Sequence, residues 1–170
     1  MSASNSIRSA FPEWPRQARR LRDAVAALGD EQLAIVPGPG RWPLWATIGH
    51  LGCQRVFWLC DFAGEPGAEG TPYPNAGDVC PGDEDLEHVL DARQLAEGLD
   101  ASFAIVERCL EAWTPDVLDV EISHPEWGEN NRVHTRGFVI QRVYAHDVSH
   151  ITELNEAFTV AGLPLIDLWG

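Results

Sequence analysis

Two histidines four residues apart have the types and spacing needed to bind a metal ion. His146 and His150 lie in a segment whose apolar residues recur every three or four positions, which predicts an α-helix. The i, i+4 spacing places both imidazoles on one helix face, where two nitrogens can bind the same ion. An H-x-x-x-H pair alone is a weak signal, because two histidines packed in a helical core give the same pattern.

A third histidine lies on a second predicted helix. His50 follows Trp45 in an apolar, aromatic segment. Helix bundles build metal sites from facing helices, so one His from this helix and the pair from the other could form a three-nitrogen site. Three protein ligands leave one coordination position open, which is typical of catalytic zinc sites. The sequence therefore predicts a metal site at His50, His146 and His150, with three unrelated packed histidines as the alternative.

Several neighbours of these histidines are candidates for supporting roles. Glu153 follows His150 by three residues, so it could orient that ligand, act as a general base, or belong to the solvated helix surface. We expect Gln54, Phe57 and Tyr144 to line a pocket, although core packing would explain the two aromatic rings equally well.

Other polar residues are expected to lie outside the site. Asp147 should face the surface or pair with an Arg, and Cys53 should pack in the core although it lies three residues from His50. The four cysteines form no C-x-x-C pair, so we expect reduced thiols. Three further histidines are predicted not to bind metal because their spacing pairs them with no other donor: His88, His124 and His134.

Four amphipathic segments must position these residues. They are predicted as helices ending near Gly29, running from Pro43 to about Ala63, running from the acidic residues 83–85 through Trp113, and running from about Gly137 to Val160. Alternating apolar residues at 118–122 and a turn at 128–131 predict a small two-stranded excursion between the last two helices. The sequence thus predicts an all-α four-helix bundle, formed by residues 1–170 as a single domain.

A long irregular loop is predicted between the second and third helices. Nine of the nineteen residues at 64–82 are Gly or Pro, which excludes a regular element there. Loops of this length inside a domain are usually functional lids or mobile segments. We expect this loop to shape or cover the entrance to the site.

The charge balance excludes some classes of partner. The net charge is −14 and all 12 strongly basic residues are Arg. Nucleic acid and anionic membrane surfaces both require clustered positive charge, so neither is expected as a partner. The apolar runs are too short to cross a membrane, and the first ten residues contain no apolar block of the secretory type. We therefore expect a cytoplasmic protein that acts on a small-molecule substrate.

The segments around the three histidines resemble the DinB/YfiT-like superfamily. Trp45 precedes IGHL at residues 48–51, and the fourth helix carries VYAHDVSH at residues 143–150. The resemblance extends from the first helix to about Val160. It implies a four-helix bundle that holds a divalent ion, commonly zinc or nickel, on one His of the second helix and two of the fourth. Carried over by position, these ligands are His50, His146 and His150.

The resemblance also implies a range of activities. Members include S-transferases that use bacillithiol or glutathione, isomerases that use mycothiol, and proteins proposed as metal-dependent hydrolases. The exclusive use of Arg is compatible with a GC-rich genome and hence a mycothiol-using host. We expect a metal-dependent hydrolase or thiol S-transferase that activates water or a low-molecular-weight thiol. A non-catalytic metal-binding or ligand-binding bundle and an interaction scaffold are the alternatives. Seven Trp and an apolar tail suggest a homodimer.

Overall fold

Four long helices form the bundle in the computed structural model, which describes residues 5–169. They are α1 (Trp14–Ala26), α3 (Leu44–Val56), α4 (Ala92–Ala112) and α5 (Arg136–Ala161), and a one-turn helix α2 (Asp30–Leu33) follows α1. Helix α3 packs extensively against both α4 and α5, and α1 packs mainly against α4. The expected all-α bundle is confirmed, although the first helix ends three residues before Gly29.

Helix α3 continues without interruption into a π-helix. The π-helix comprises residues Phe57–Phe62. Helix α3 and the π-helix together therefore end one residue before Ala63, the predicted end of the second helix. Apolar periodicity cannot distinguish a π-helical turn from an α-helical one over six residues. Segments of this kind are rare and often occur at functional sites.

The predicted start of the third long helix is wrong. Helix α4 begins at Ala92, where the Asp91 carboxylate accepts the Gln94 N–H and the Gln94 side chain accepts the Asp91 N–H. The acidic residues 83–85 lie in turns instead. The Asp85 carboxylate accepts the N–H groups of Glu87 and His88, a local contact that competes with helix formation. His88, expected at the start of this helix, therefore lies before it.

A two-stranded sheet precedes α5, as predicted. Strands β1 (Glu121–Ile122) and β2 (His134–Thr135) pair antiparallel, with Glu121 opposite Thr135. A 3₁₀ segment at Pro125–Asn130 connects them, where a tight turn at 128–131 was expected. The sheet ends directly at α5, where the Thr135 hydroxyl accepts the Phe138 N–H and caps the helix.

The irregular loop at 64–82 packs closely on α3. Tyr73 of the loop is buried, and two glycines of α3 leave room for the loop to pack against the helix. A Cβ atom on Gly52 would lie 2.9 Å from Tyr73 Cε2, and one on Gly49 would lie 2.9 Å from Pro81 Cβ. Apart from one 3₁₀ turn at Ala68–Gly70 the loop holds no helix or strand, and it is part of the packed core.

The apolar face of α4 is buried. The buried residues of this face are Leu95, Leu99, Phe103, Val106 and Leu110, and Trp113, which caps the C-terminus of the helix, is buried as well. Across residues 5–169, no helix combines the length and apolar character needed to span a membrane.

Candidate metal centre

Three histidine side chains from α3 and α5 converge on one point. His146 Nε2 lies 3.2 Å from His50 Nε2 and 3.1 Å from His150 Nε2. Nitrogens that bind one ion at about 2.0–2.1 Å with tetrahedral angles are separated by about 3.3 Å. The spacing and the chemistry of these donors therefore fit a single divalent ion with one coordination position left for another ligand.

The surroundings favour neutral imidazoles on α5. Burial, together with the neighbouring His150 and His50, lowers the pKa of His146 to about 3. Burial and His50 also lower the pKa of His150. A neutral imidazole has a nitrogen lone pair available, and metal binding requires that lone pair.

Glu153 contacts Nδ1 of His150, the ring nitrogen that faces away from the other two histidines and is called here the outer nitrogen. Its Oε2 lies 3.0 Å from His150 Nδ1, and its Oε1 accepts a hydrogen bond from Arg41 Nη1. An ionised carboxylate can only accept, so the proton of the imidazole lies on Nδ1 and Nε2 faces the other two histidines. Such an outer carboxylate fixes the tautomer and ring orientation of a metal ligand.

His50 has two partners on its outer nitrogen that the sequence did not reveal. Its Nδ1 lies 3.5 Å from Cys80 Sγ and 3.3 Å from Asp83 Oδ2. Both residues come from the irregular segment before α4, so no periodicity links them to His50. Burial lowers the pKa of His50, but the contacts with Cys80 and Asp83 outweigh it and the net shift is upward.

These three residues also form a second group of donors. His50, Cys80 and Asp83 can approach one ion through the nitrogen opposite to the one that faces the α5 histidines. A metal-binding His usually donates its other ring N–H to a carboxylate or similar acceptor. The geometry therefore also suits an arrangement in which Cys80 and Asp83 orient the imidazole.

The sulfur beside His50 belongs to Cys80 rather than to Cys53. The hydrogen bond from Cys53, and further contacts with His50 and Gln54, lower the pKa of Cys80 to about 6. The same pairing with Cys80, together with burial, raises the pKa of Cys53. Gln54, expected in a pocket, lies with its Nε2 3.8 Å from Cys80 Sγ. The thiolate of this buried pair is therefore favoured on Cys80.

The other two expected pocket residues lie apart from the histidines. Phe57 lines a separate cavity on the π-helical segment. Tyr144 packs edge-on against Trp14 and Phe11, with ring centroids 5.1 and 5.6 Å apart. Tyr144 therefore packs as a core aromatic residue, which is the alternative to a pocket position that the sequence left open.

The remaining histidines have other partners. His88 pairs with Asp85 on the surface, and His134 stacks on Phe138 with centroids 3.9 Å apart. His124 Nε2 donates to the Phe62 carbonyl oxygen. Among residues 5–169, none of the three belongs to a group of three or more donors that could hold an ion.

Asp147 of α5 has the second of its two expected placements, a pairing with an Arg. It is buried and forms an ion pair with Arg55 of α3. The alternative of a surface position does not apply, because Asp147 points into the bundle between α3 and α5.

Comparison with known proteins identifies the family. A family model of the DinB superfamily matches residues 13–154, whereas no curated protein matches the chain. The crystal structure of a DinB-like protein from Bacillus cereus ATCC 10987 is similar over 98% of this chain and 100% of its own, with a TM-score of 0.69 and 17% identity. A conserved protein from Enterococcus faecalis is similar over 87% of this chain and 92% of its own, with a TM-score of 0.63 and 16% identity. At these identities the two structures establish a shared fold, and the family match covers most of the sequence. The chain belongs to the DinB superfamily.

Proposed function

We propose that this protein is a metalloenzyme that binds one divalent ion, zinc or nickel, through His50, His146 and His150. The convergence of the three Nε2 atoms is the observation that carries the proposal. The outer nitrogens of His50 and His150 both face acceptors, so their inner nitrogens carry lone pairs when the rings are neutral. A hydrogen on His146 Nε2 can be donated well to only one of these two lone pairs, whereas a cation among three neutral imidazoles would bind all three nitrogens.

The ion and the protein would have distinct roles in catalysis. A divalent ion at this site supplies a Lewis acid that lowers the pKa of a water or thiol at its open position. Glu153 holds His150 in its tautomer, with Arg41 holding Glu153 in turn. We infer that Glu153 acts mainly by orienting His150, because both of its oxygens are already engaged. The loop at 64–82 contributes Cys80, which supports His50 from the other side.

The reaction follows from what occupies the open position. With water, the site would hydrolyse a small ester or amide. With a low-molecular-weight thiol such as mycothiol, the thiol would lose its proton, and its sulfur would bond to an electrophilic carbon as the leaving group on that carbon departs with the bonding electrons. Membership of the DinB superfamily is compatible with both reactions. We propose this pair of reactions as the class to be screened.

Metal analysis tests the ligand assignment. Protein purified without an affinity tag or added metal should contain about one equivalent of zinc or nickel by mass spectrometry. His50→Ala and His146→Ala should lose it, whereas the control His88→Ala should retain it because His88 lies exposed on a turn. Full metal content in His146→Ala, or no metal uptake by the wild type from any of several divalent ions, would refute the site.

Activity and stability measurements separate the enzyme from its alternatives. Metal-loaded protein should turn over an ester, an amide or a thiol–electrophile pair, and His146→Ala should not. Full occupancy without any turnover would instead indicate a metal-binding protein. A chelator should lower the Tm of the loaded protein, because an ion that binds only the native state stabilises it. An unchanged Tm would indicate packed histidines in a scaffold.

A further inference from the structure

A cavity of about 630 Å³ lies beside the π-helical segment at the end of α3. Phe57 and Asp61 of the π-helix form one side, and the loop residues Asn75 and Asp78 form another. The 3₁₀ segment between the two strands supplies Trp127. None of the three converging histidines lines it. A volume of this size is within the range of small-molecule sites, and π-helical turns are often found at such sites.

The two carboxylates of this cavity have no cationic partner in the part of the chain that the structure describes. No Arg or His nitrogen among residues 5–169 lies within ion-pair distance of Asp61 or Asp78. Burial raises the pKa of Asp61 and the charge of Asp78 raises it further, while a hydrogen bond from the Gly77 N–H opposes the shift. The two negative charges therefore repel each other across the cavity, and a bound cation would relieve that repulsion.

Aromatic rings line the same cavity. Phe57 and Trp127 lie 6.3 Å apart between centroids, with ring planes inclined by only 25°. His124 stacks on Trp127 at 4.2 Å and 13°, which holds the indole in place. The face of a Trp or Phe ring attracts cations, and most strongly those with a poorly hydrated, partly apolar surface such as substituted ammonium groups.

A metal ion is the less suitable occupant of this cavity. Divalent ions require several donors converging on one point. Within the described part of the chain, Asp61 and Asp78 belong to no group of three or more metal-binding side chains. Carboxylates combined with aromatic faces suit an organic cation better than a bare ion.

We propose that this cavity binds a small organic ammonium ion, held by the carboxylates of Asp61 and Asp78 and by the aromatic rings of Phe57 and Trp127. The site is separate from the three-histidine centre and does not require metal there. It could serve an amine-containing substrate or a separate ligand, and the proposal concerns the binding alone.

A nuclear magnetic resonance titration with choline chloride tests the proposal. Choline should produce saturable shifts of the backbone amides of Asn75, Gly77 and Asn130 and of the Trp127 indole N–H. Its neutral carbon isostere, 3,3-dimethylbutan-1-ol, should bind at least about tenfold more weakly, because it keeps the shape and lacks the charge. The titration is repeated on His146→Ala, where the same shifts are expected even if the metal centre is lost.

Variants locate the binding on the proposed residues. Asp61→Asn and Trp127→Leu should each weaken choline binding by about tenfold, since the first removes one of the two carboxylates and the second one of the two aromatic rings. Glu31→Gln removes one negative charge from an exposed position on α2 and should leave binding unchanged. Equal affinity for the isostere, unchanged binding in Asp61→Asn, or the absence of saturable shifts would each overturn the proposal.

Discussion

Arg55 of α3 and Asp147 of α5 form a fully buried, bidentate ion pair. Arg55 Nε donates to Asp147 Oδ1 at 3.1 Å and Nη2 donates to Oδ2 at 2.8 Å, and both residues are only 1% exposed. The Trp14 indole N–H of α1 donates to the same carboxylate at 2.8 Å. The third guanidinium nitrogen, Nη1, donates to the Leu99 carbonyl oxygen and the Ser102 hydroxyl of α4. One charged pair therefore connects all four long helices.

This pair also connects the two helices that carry the histidines. Arg55 follows His50 by five residues on α3, and Asp147 is adjacent to His146 on α5. An ion pair with bidentate geometry tolerates little sliding or rotation of one helix against the other. The pair therefore helps to hold His50 level with the two histidines of α5.

Removal of one member of this pair should strongly destabilise the fold. Arg55→Met leaves the Asp147 carboxylate buried without its cation, and breaking a buried pair in this way costs about 3–5 kcal/mol. Urea denaturation would measure the loss in the free energy of unfolding. Arg93→Ala, which breaks the exposed pair with Glu97, is the control and should cost less than about 1 kcal/mol. A similar, small loss in both variants would contradict the structural role assigned to Arg55.

Loss of the carboxylate behind His150 should weaken metal binding. Glu153→Ala removes the acceptor of the Nδ1 proton, and changes to such outer partners typically reduce metal affinity about 10- to 100-fold. Competition with a chromophoric chelator would measure the Kd. Glu156→Ala, an exposed position one turn away, should leave the Kd unchanged. Equal Kd values for Glu153→Ala and the wild type would show that the carboxylate does not support the ligand.

The close approach of the loop to α3 should make Gly49 sensitive to substitution. A Cβ at this position would lie 2.9 Å from Pro81 Cβ, so either the helix or the loop must shift. We expect Gly49→Ala to lose about 1–3 kcal/mol, the usual cost of overpacking. Gly70→Ala has open space around its new methyl group and should change the unfolding free energy by less than about 0.5 kcal/mol. Thermal or urea unfolding would compare the two, and an unaffected Gly49→Ala would imply a loosely packed loop.

His124 should make stability depend on pH. Hydrogen bonds to the Phe62 carbonyl oxygen and to Glu126 raise its pKa, because both ring nitrogens then donate and the charged imidazole is favoured. Its stabilisation is therefore complete below the unfolded pKa of about 6.5 and is lost as the pH rises through the higher folded pKa.

Comparison of the wild type with His124→Gln measures this effect. The difference in unfolding free energy should be larger at about pH 5.5 than at about pH 9, since the other titrating groups are shared and cancel. A titration of the His124 ring protons would give its pKa directly. A difference between the two proteins that does not change with pH would contradict the assigned cause.

The regular elements were largely predictable, and the failures have local physical causes. Apolar periodicity located α5 to within one residue at each end, because its core positions repeat with the period of a helix. The start of α4 was misplaced because acidic residues favour helix N-termini in general, whereas the actual start depends on the reciprocal capping of Asp91 and Gln94. The π-helix at Phe57–Phe62 was missed because it leaves the apolar pattern almost unchanged.

Local patterns alone were enough to predict the bundle and to single out the three histidines as a candidate site. Helical spacing puts His146 and His150 on one face whatever the rest of the chain does, since that relation is local. The meeting of His50 with this pair depends instead on the packing of α3 against α5. The level of one helix against another is set by contacts distant in sequence, such as that of Arg55 with Asp147.

The same reason explains what the sequence could not indicate around the site. Cys80 reaches His50 from an irregular loop that obeys no period, and its position depends on close packing against the glycines of α3. The cavity between Asp61 and Trp127 likewise joins segments far apart in the chain. Local spacing predicts which side chains share a helix face, whereas the neighbours of an irregular segment are set by how the whole chain packs.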